Sequence, residues 1–313
     1  MLKFLLACLT CSTLITSQEN MAKVNNIDIW YETFGSKKDP ALLLIIGACS
    51  QGILWHRSLC ERFANEGFYV IRYDHRDMGL STCVDFARDP YDLMDMTKDA
   101  IGILDDASVE KAHVFGVSMG GLIAELMAAH YPERIHSILL FGSSPDIRPM
   151  NRAYAGLPSE ESVTLNPPTA AYIEWMNSYI KILPSTNEEK LTLRLEGWNK
   201  LNGNVYPLDE KKNIEMQKEF LSRLHHTQGI INHITLLRSP RSEQLVLETP
   251  SKIQVPTTII HGSEDPIFPP DHGKALHHAI INSRYFPIEG LGHIPNDHFF
   301  GLYVSILKKP TCE

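Results

Sequence analysis

The chain has 313 residues, 43% hydrophobic and 21% charged, which excludes a mainly disordered, collagen-like or coiled-coil protein and leaves ample material for a large core. Lys and Arg number 29 against 37 Asp and Glu, a formal charge of −8, so no concentrated basic face for nucleic acid is expected. No apolar run reaches the about 18 residues that a spanning helix needs, so no integral membrane domain is expected.

Residues 1–20 differ in composition from the rest of the chain. Lys3 precedes an apolar stretch, Phe4 to Ile15, in the manner of a signal peptide, but Ile15-Thr16-Ser17-Gln18 lacks a clean A-x-A cleavage pattern. Met21 opens a sequence that already reads as a complete start, so the segment reads equally as a spurious extension. The first reading predicts a secreted or periplasmic protein, and the second a cytoplasmic one.

Beyond Met21 the chain alternates strands and helices. Asn26 to Thr33 reads as strand, and Ala41 to Gly47 is a continuous apolar run suited to a strand buried on both faces. Leu54 to Glu66 has helical spacing and stops at Gly67; Phe68 to Tyr73 is the next strand. Asp92 to Leu104 (helix), Ala112 to Gly116 (strand), Leu122 to Tyr131 (helix) and Ile135 to Phe141 (strand) continue the rhythm. Such alternation predicts βαβ units in a doubly wound, mostly parallel sheet.

From residue 146 to residue 250 no buried strand run occurs. Prolines punctuate helical segments, among them Ala171 to Leu183 and Asn213 to His225, with Tyr172, Trp175, Tyr179, Trp198 and Tyr206 scattered through the region. Strand rhythm resumes at Thr257 to Ile260 and Tyr285 to Ile288. The expected organisation is a core of residues 21–145 and 251–313 carrying an inserted helical cap, 146–250. The cap aromatics are read first as packing and second as the wall of an apolar pocket.

The six cysteines, at 8, 11, 49, 60, 83 and 312, show no metal-type spacing and read as free thiols. His225-His226 with His233, and His277-His278, lack the spacing of a metal motif, so neither metal nor cofactor is expected.

Chemistry concentrates elsewhere. Gly116-Val117-Ser118-Met119-Gly120 fits G-x-S-x-G between a buried-type strand and a helix, the setting of a nucleophile elbow. A serine there needs a strained backbone, and Gly116 and Gly120 let strand and helix approach closely. Its hydroxyl needs a histidine base, and the base needs a partner to hold its tautomer. Asp265 follows the strand Thr257 to Ile260, and His293 follows the next strand on the glycine-flexible loop Gly290-Leu291-Gly292. Asp146 and Glu264 are rival acids, Asp146 by the same placement after a strand; Asp271 reads as a helix cap. The oxyanion donors are expected to be the backbone N–H groups of Met119 and Ala48, with Gly47 as the alternative.

Gly47-Ala48-Cys49, Val70 to Thr82, Asp85-Phe86, Pro90-Tyr91, Gly116 to Gly120, Asp265-Pro266-Ile267 and His272-Gly273-Lys274 resemble the aclacinomycin methylesterase branch of the α/β-hydrolase superfamily. The resemblance spans most of residues 22–145 and 250–300 and is poor in the cap. It implies the α/β-hydrolase fold, a Ser118–Asp265–His293 triad, oxyanion donors at Ala48 and Met119, and structural roles for Arg76 and Asp77. Ala48 departs from the second glycine that the family often has there, which leaves the backbone N–H in place.

The expected activity is that of a serine hydrolase cleaving carboxylic esters of small molecules through an acyl-enzyme. A lactonase, thioesterase, C–C hydrolase or cofactor-free perhydrolase would use the same triad. A binding protein on an idle hydrolase scaffold is the alternative of another class. The oligomeric state is left open by the sequence.

Overall fold

The computed structural model describes residues 15–310. Its strands are β1 (Ser17–Val24), β2 (Ile27–Phe34), β3 (Ala41–Ile45), β4 (Tyr69–Tyr73), β5 (Ala112–Val117), β6 (Ile135–Phe141), β7 (Thr257–Gly262) and β8 (Arg284–Ile288). They form one eight-stranded sheet in the order β1-β2-β4-β3-β5-β6-β7-β8. β2 runs antiparallel to both its neighbours, and β3 to β8 are mutually parallel. The sheet is that of the expected α/β-hydrolase fold.

Alternation along β3 divides the core in two. Leu43 and Ile45 face a layer shared with α2 (Leu93–Asp106), α3 (Met119–His130) and α10 (Pro270–Ala279). Leu42 and Leu44 face a layer shared with α1 (Arg57–Asn65) and α11 (Phe300–Lys308). Because both faces are covered, all five β3 residues are buried, which is why the strand reads as an unbroken apolar run. Local signals set the helix starts. Asp92 accepts the Met94 and Asp95 N–H groups at 2.7 and 3.2 Å and caps α2.

Between β6 and β7 the described chain is helical: α4 (Arg148–Tyr154), α5 (Ala170–Tyr179), α6 (Asn187–Asn202), α7 (Glu210–Ser222), α8 (Gln228–Leu237) and α9 (Pro240–Glu248). Residues of α4 to α8 line a cavity together with Ala48, Ser118, Phe268 and His293, which follow β3, β5, β7 and β8.

Two local readings need correction. Ser17 to Asn20, assigned by sequence to the leader, form the first half of β1 and pair with Phe34 to Tyr31. Helix α10 begins at Pro270, so Asp271 lies within its first turn rather than ahead of it, and its Oδ2 accepts the Asn166 N–H at 2.7 Å. Residues 1–14 of the leader reading, with Cys8 and Cys11, lie outside the described residues, as does Cys312. Within them Cys49, Cys60 and Cys83 are free thiols.

Candidate active site

Chain order in the sheet reverses between β3 and β5, which are hydrogen-bonded neighbours with Ile45 opposite Gly116. Such a switch point opens a crevice at the carboxyl ends of the strands. The next residues of both strands enter it together: a Cβ built on Gly47 would lie 3.2 Å from Ser118 Cβ.

Ser118 stands between β5 and α3 with φ 54° and ψ −121°, a left-handed conformation unusual for a residue with a Cβ. Its neighbours enforce the turn. A Cβ on Gly116 would come within 2.3 Å of Gly120 O, and one on Gly120 within 2.3 Å of Ile45 O. Strand, turn and helix therefore close only with glycine at both positions. Ser118 N–H donates to Phe141 O at 2.9 Å, tying the turn to β6. Its side chain is partly exposed to a cavity, and among the described residues Oγ makes no hydrogen bond. Nor do the Ala48 and Met119 N–H groups find a protein acceptor among them. They line the same cavity and remain available to an anion.

Asp265 and His293 reach this rim from β7 and β8. Asp265 Oδ1 accepts the Ile267 and Phe268 N–H groups at 2.9 and 2.8 Å. Its Oδ2 accepts the His293 Nδ1–H at 2.7 Å. Both residues are buried, at 2% and 3% exposure. Burial opposes ionisation of Asp265, but the facing His293, the hydrogen bond from it and the Phe268 N–H together hold the carboxyl below its ordinary value. A proton on Nδ1 leaves Nε2 as the unprotonated nitrogen of the neutral ring. Phe268 packs edge-on against the imidazole with centroids 5.7 Å apart.

The sequence overlooked two supports. Gly142, after β6, has φ +54° and faces the pair so closely that a Cβ would sit 3.1 Å from His293 Nδ1 and 3.2 Å from Asp265 Oδ2. His261, near the end of β7, donates from Nε2 to Phe268 O at 2.7 Å and steadies the Asp265 loop. Its place at a strand end beside the acid was a usable signal.

The glycines before His293 serve close approach rather than flexibility. Gly292 N–H donates to Asn202 O at 3.0 Å, His293 N–H to Leu201 O at 2.6 Å, and a Cβ on Gly292 would fall 2.1 Å from Leu201 O. The end of α6 thus clamps the histidine loop.

The rival acids are engaged elsewhere. Asp146 forms a two-pronged pair with Arg148, Nη2 to Oδ2 at 2.7 Å and Nε to Oδ1 at 2.9 Å. Glu264 Oε2 accepts both the backbone and side-chain N–H of Asn204 at 2.8 Å. Arg76 pairs with Asp99 at 2.6 and 2.7 Å, and Asp77 accepts from Asn232 at 2.9 Å, so both hold the turn after β4. Cys49 has φ 58°, and burial pushes its thiol up to about 12, which keeps it protonated.

The cavity over the rim measures about 940 Å³. Tyr172, Trp198 and Tyr206 line it with Met150, Met176 and Leu54, whereas Trp175 and Tyr179 pack on each other at 4.7 Å. The aromatics of the inserted helices divide between pocket wall and packing.

The family described as the α/β hydrolase fold matches residues 40–298. The chain belongs to that family. It is 33% identical over 274 residues to rhodomycin D methylesterase DnrP of Streptomyces peucetius, covering 86% of this chain and 90% of the relative. The resemblance to the methylesterase branch therefore runs through most of the chain. Identity to 3-oxoadipate enol-lactonase 2 of Acinetobacter baylyi is 24% over 270 residues, 85% of this chain and 86% of that one. Among solved structures, bromoperoxidase from Bacillus anthracis superposes with a TM-score of 0.71 at 24% identity, covering 93% of this chain and all of that one (100%).

Proposed function

We propose that this α/β hydrolase cleaves carboxylic esters of small molecules by acyl transfer to Ser118. Ser118 Oγ attacks the ester carbonyl carbon while its proton passes to His293 Nε2. The carbonyl oxygen becomes an oxyanion and accepts the Met119 and Ala48 N–H groups. His293 then delivers the proton to the departing alcohol oxygen, and the ester C–O bond breaks. A water molecule gives its proton to the same nitrogen and attacks the acyl carbon; the proton returns to Ser118 as the acid leaves. Asp265 holds the ring in the tautomer that can accept and stabilises the imidazolium. No cofactor enters the scheme.

The observation that supports this reading most is the 2.7 Å Asp265–His293 contact at the rim shared with a serine in left-handed geometry. The similarity to a methylesterase supports the ester as the bond attacked. Bulk and apolar character of the substrate follow from a cavity of about 940 Å³ with aromatic walls.

The test is hydrolysis of p-nitrophenyl acetate and butyrate, with a lactone and a thioester for comparison, by the native chain and Ser118→Ala. Ester turnover that vanishes in Ser118→Ala is expected. Turnover retained by the variant would remove Ser118 from the mechanism.

A further inference from the structure

The turn after β3 is held from two sides by buried histidines. His75 donates from Nε2 to Ile46 O at 2.8 Å. His233, on α8, accepts the Cys49 N–H at Nδ1 over 3.0 Å and donates from Nε2 to Arg76 O, also at 3.0 Å. The partners fix the tautomers: a carbonyl only accepts and an amide N–H only donates, so each ring carries its proton on Nε2. The rings are 1% and 0% exposed and meet edge to face with centroids 5.8 Å apart. Because His75 and Arg76 are consecutive, the contacts close a circuit from Ile46 through both histidines to Cys49.

This circuit brackets one peptide plane. Ile46 O belongs to the plane before Gly47, and Cys49 N–H to the plane after Ala48. The plane between them carries the Ala48 N–H. With both flanking planes anchored, the plane between them is limited to a concerted rotation at Gly47 and Ala48. Cys49 also sits at φ 58°, a conformation that needs outside support in a residue with a side chain.

Helix α8 is itself seated on the core. Asn232 Nδ2 donates to Asp77 Oδ2 at 2.9 Å and to Val84 O at 3.2 Å, and a Cβ on Gly229 would fall 2.0 Å from Asp77 O. Burial lowers His233 to about 4, so the acceptor at Nδ1 persists at neutral pH.

We propose that His233 is a positioning residue for acyl transfer: it fixes the peptide plane beside Ala48 and so aims the Ala48 N–H at the developing oxyanion. The proposal rests on the Ser118 reading above. It makes a helix inserted between β6 and β7 part of the support for transition-state binding, beyond forming the pocket wall.

The experiment compares His233→Asn and His233→Gln in the full chain. Asn retains an acceptor near the Nδ1 position; Gln retains a donor toward Arg76 but no such acceptor. Measured are kcat and KM for p-nitrophenyl butyrate, and inhibition by a trifluoromethyl ketone, whose enzyme adduct carries an oxyanion. His233→Gln is expected to lose about 10–100-fold in kcat with KM changed less than about threefold, and to bind the ketone more weakly by a similar factor. His233→Asn is expected to recover most of both. Equal kcat values in the two variants, or a loss confined to thermal stability, would overturn the role. Ser118→Ala run alongside separates the two failures. Activity surviving in Ser118→Ala defeats the acyl-transfer reading itself. An inactive Ser118→Ala beside indistinguishable Asn and Gln variants defeats only the role of His233.

Discussion

Asp265 Oδ2 accepts the His293 Nδ1–H at 2.7 Å, although the two residues are carried by loops beyond different strands. The carboxylate spends its other oxygen on the Ile267 and Phe268 N–H groups, so it cannot swing away from the ring. Asp265→Asn should keep this shape but favour the wrong tautomer, because an amide nitrogen facing Nδ1 donates. A fall in kcat of about 10³–10⁴-fold with little change in KM is expected. Steady-state kinetics on p-nitrophenyl butyrate checks it.

Gly142 is a second control on the same pair. Its φ is +54°, and a methyl group placed on its Cα would lie only 3.1 Å from His293 Nδ1, so alanine strains the backbone and crowds the ring. Gly142→Ala should destabilise by about 1–2 kcal/mol and lower kcat by about tenfold or more. Thermal melts and kinetics on the same sample would separate the two effects.

Glu125 sets a pH dependence of stability away from the chemistry. Burial pushes this α3 carboxyl up to about 8, against the Ser143 hydroxyl that donates to it at 2.7 Å. In the unfolded chain it ionises near 4.5. The folded state therefore holds a proton that the unfolded state has released, and the stabilising contribution is lost as pH rises from about 4.5 through 8. Glu125→Gln keeps the hydroxyl contact without the ionisation. Its Tm advantage over the native chain should grow between pH 6 and pH 8.5; a constant difference would refute the assignment.

The buried histidines act in the opposite sense. Burial lowers His75 to about 3, helped by the neighbouring His233 and Arg76, and lowers His233 to about 4. Both stay neutral in the folded protein where an unfolded chain takes up protons, below about pH 6.5. Stability should thus fall as pH drops from about 6.5 toward 4. His75→Gln should flatten that slope in urea titrations at pH 4.5, 5.5 and 6.5.

Cavity size makes a prediction about selectivity. Met176 lines the wall on α5, and tryptophan there removes space without touching Ser118 or His293. Met176→Trp should lower kcat/KM for an ester with a bulky acyl group by about tenfold or more, while p-nitrophenyl acetate changes by less than about threefold. Equal losses on both esters would mean that this wall does not contact the acyl group.

Much of this site was legible because its signals are local. Gly116, Ser118 and Gly120 announce a strand-to-helix turn within five residues, and buried strands such as β3 are unbroken apolar runs. Asp265 and His293 were found from their places after two successive strands. Contacts across long sequence separations were not legible. The Cys49–His233 bond spans 184 residues and His75–Ile46 joins separate loops, so His233 was read only as an unsupported metal ligand. Gly292 looked like a hinge because its neighbours Leu201 and Asn202 lie far back in the chain. β1 escaped notice because it is an edge strand in which only Ala22 and Val24 are buried, leaving no apolar run to read. The competition between Asp146 and Asp265 was more tractable, since Arg148 two residues away already offered Asp146 a partner.

The proposed acyl transfer depends on Ser118 being an activated nucleophile. Labelling with a fluorophosphonate probe, followed by peptide mass spectrometry, tests it most directly. One stoichiometric adduct is expected on the peptide containing Ser118, absent from Ser118→Ala and strongly slowed in His293→Ala. An unlabelled native protein, or an adduct that persists in Ser118→Ala, would contradict it.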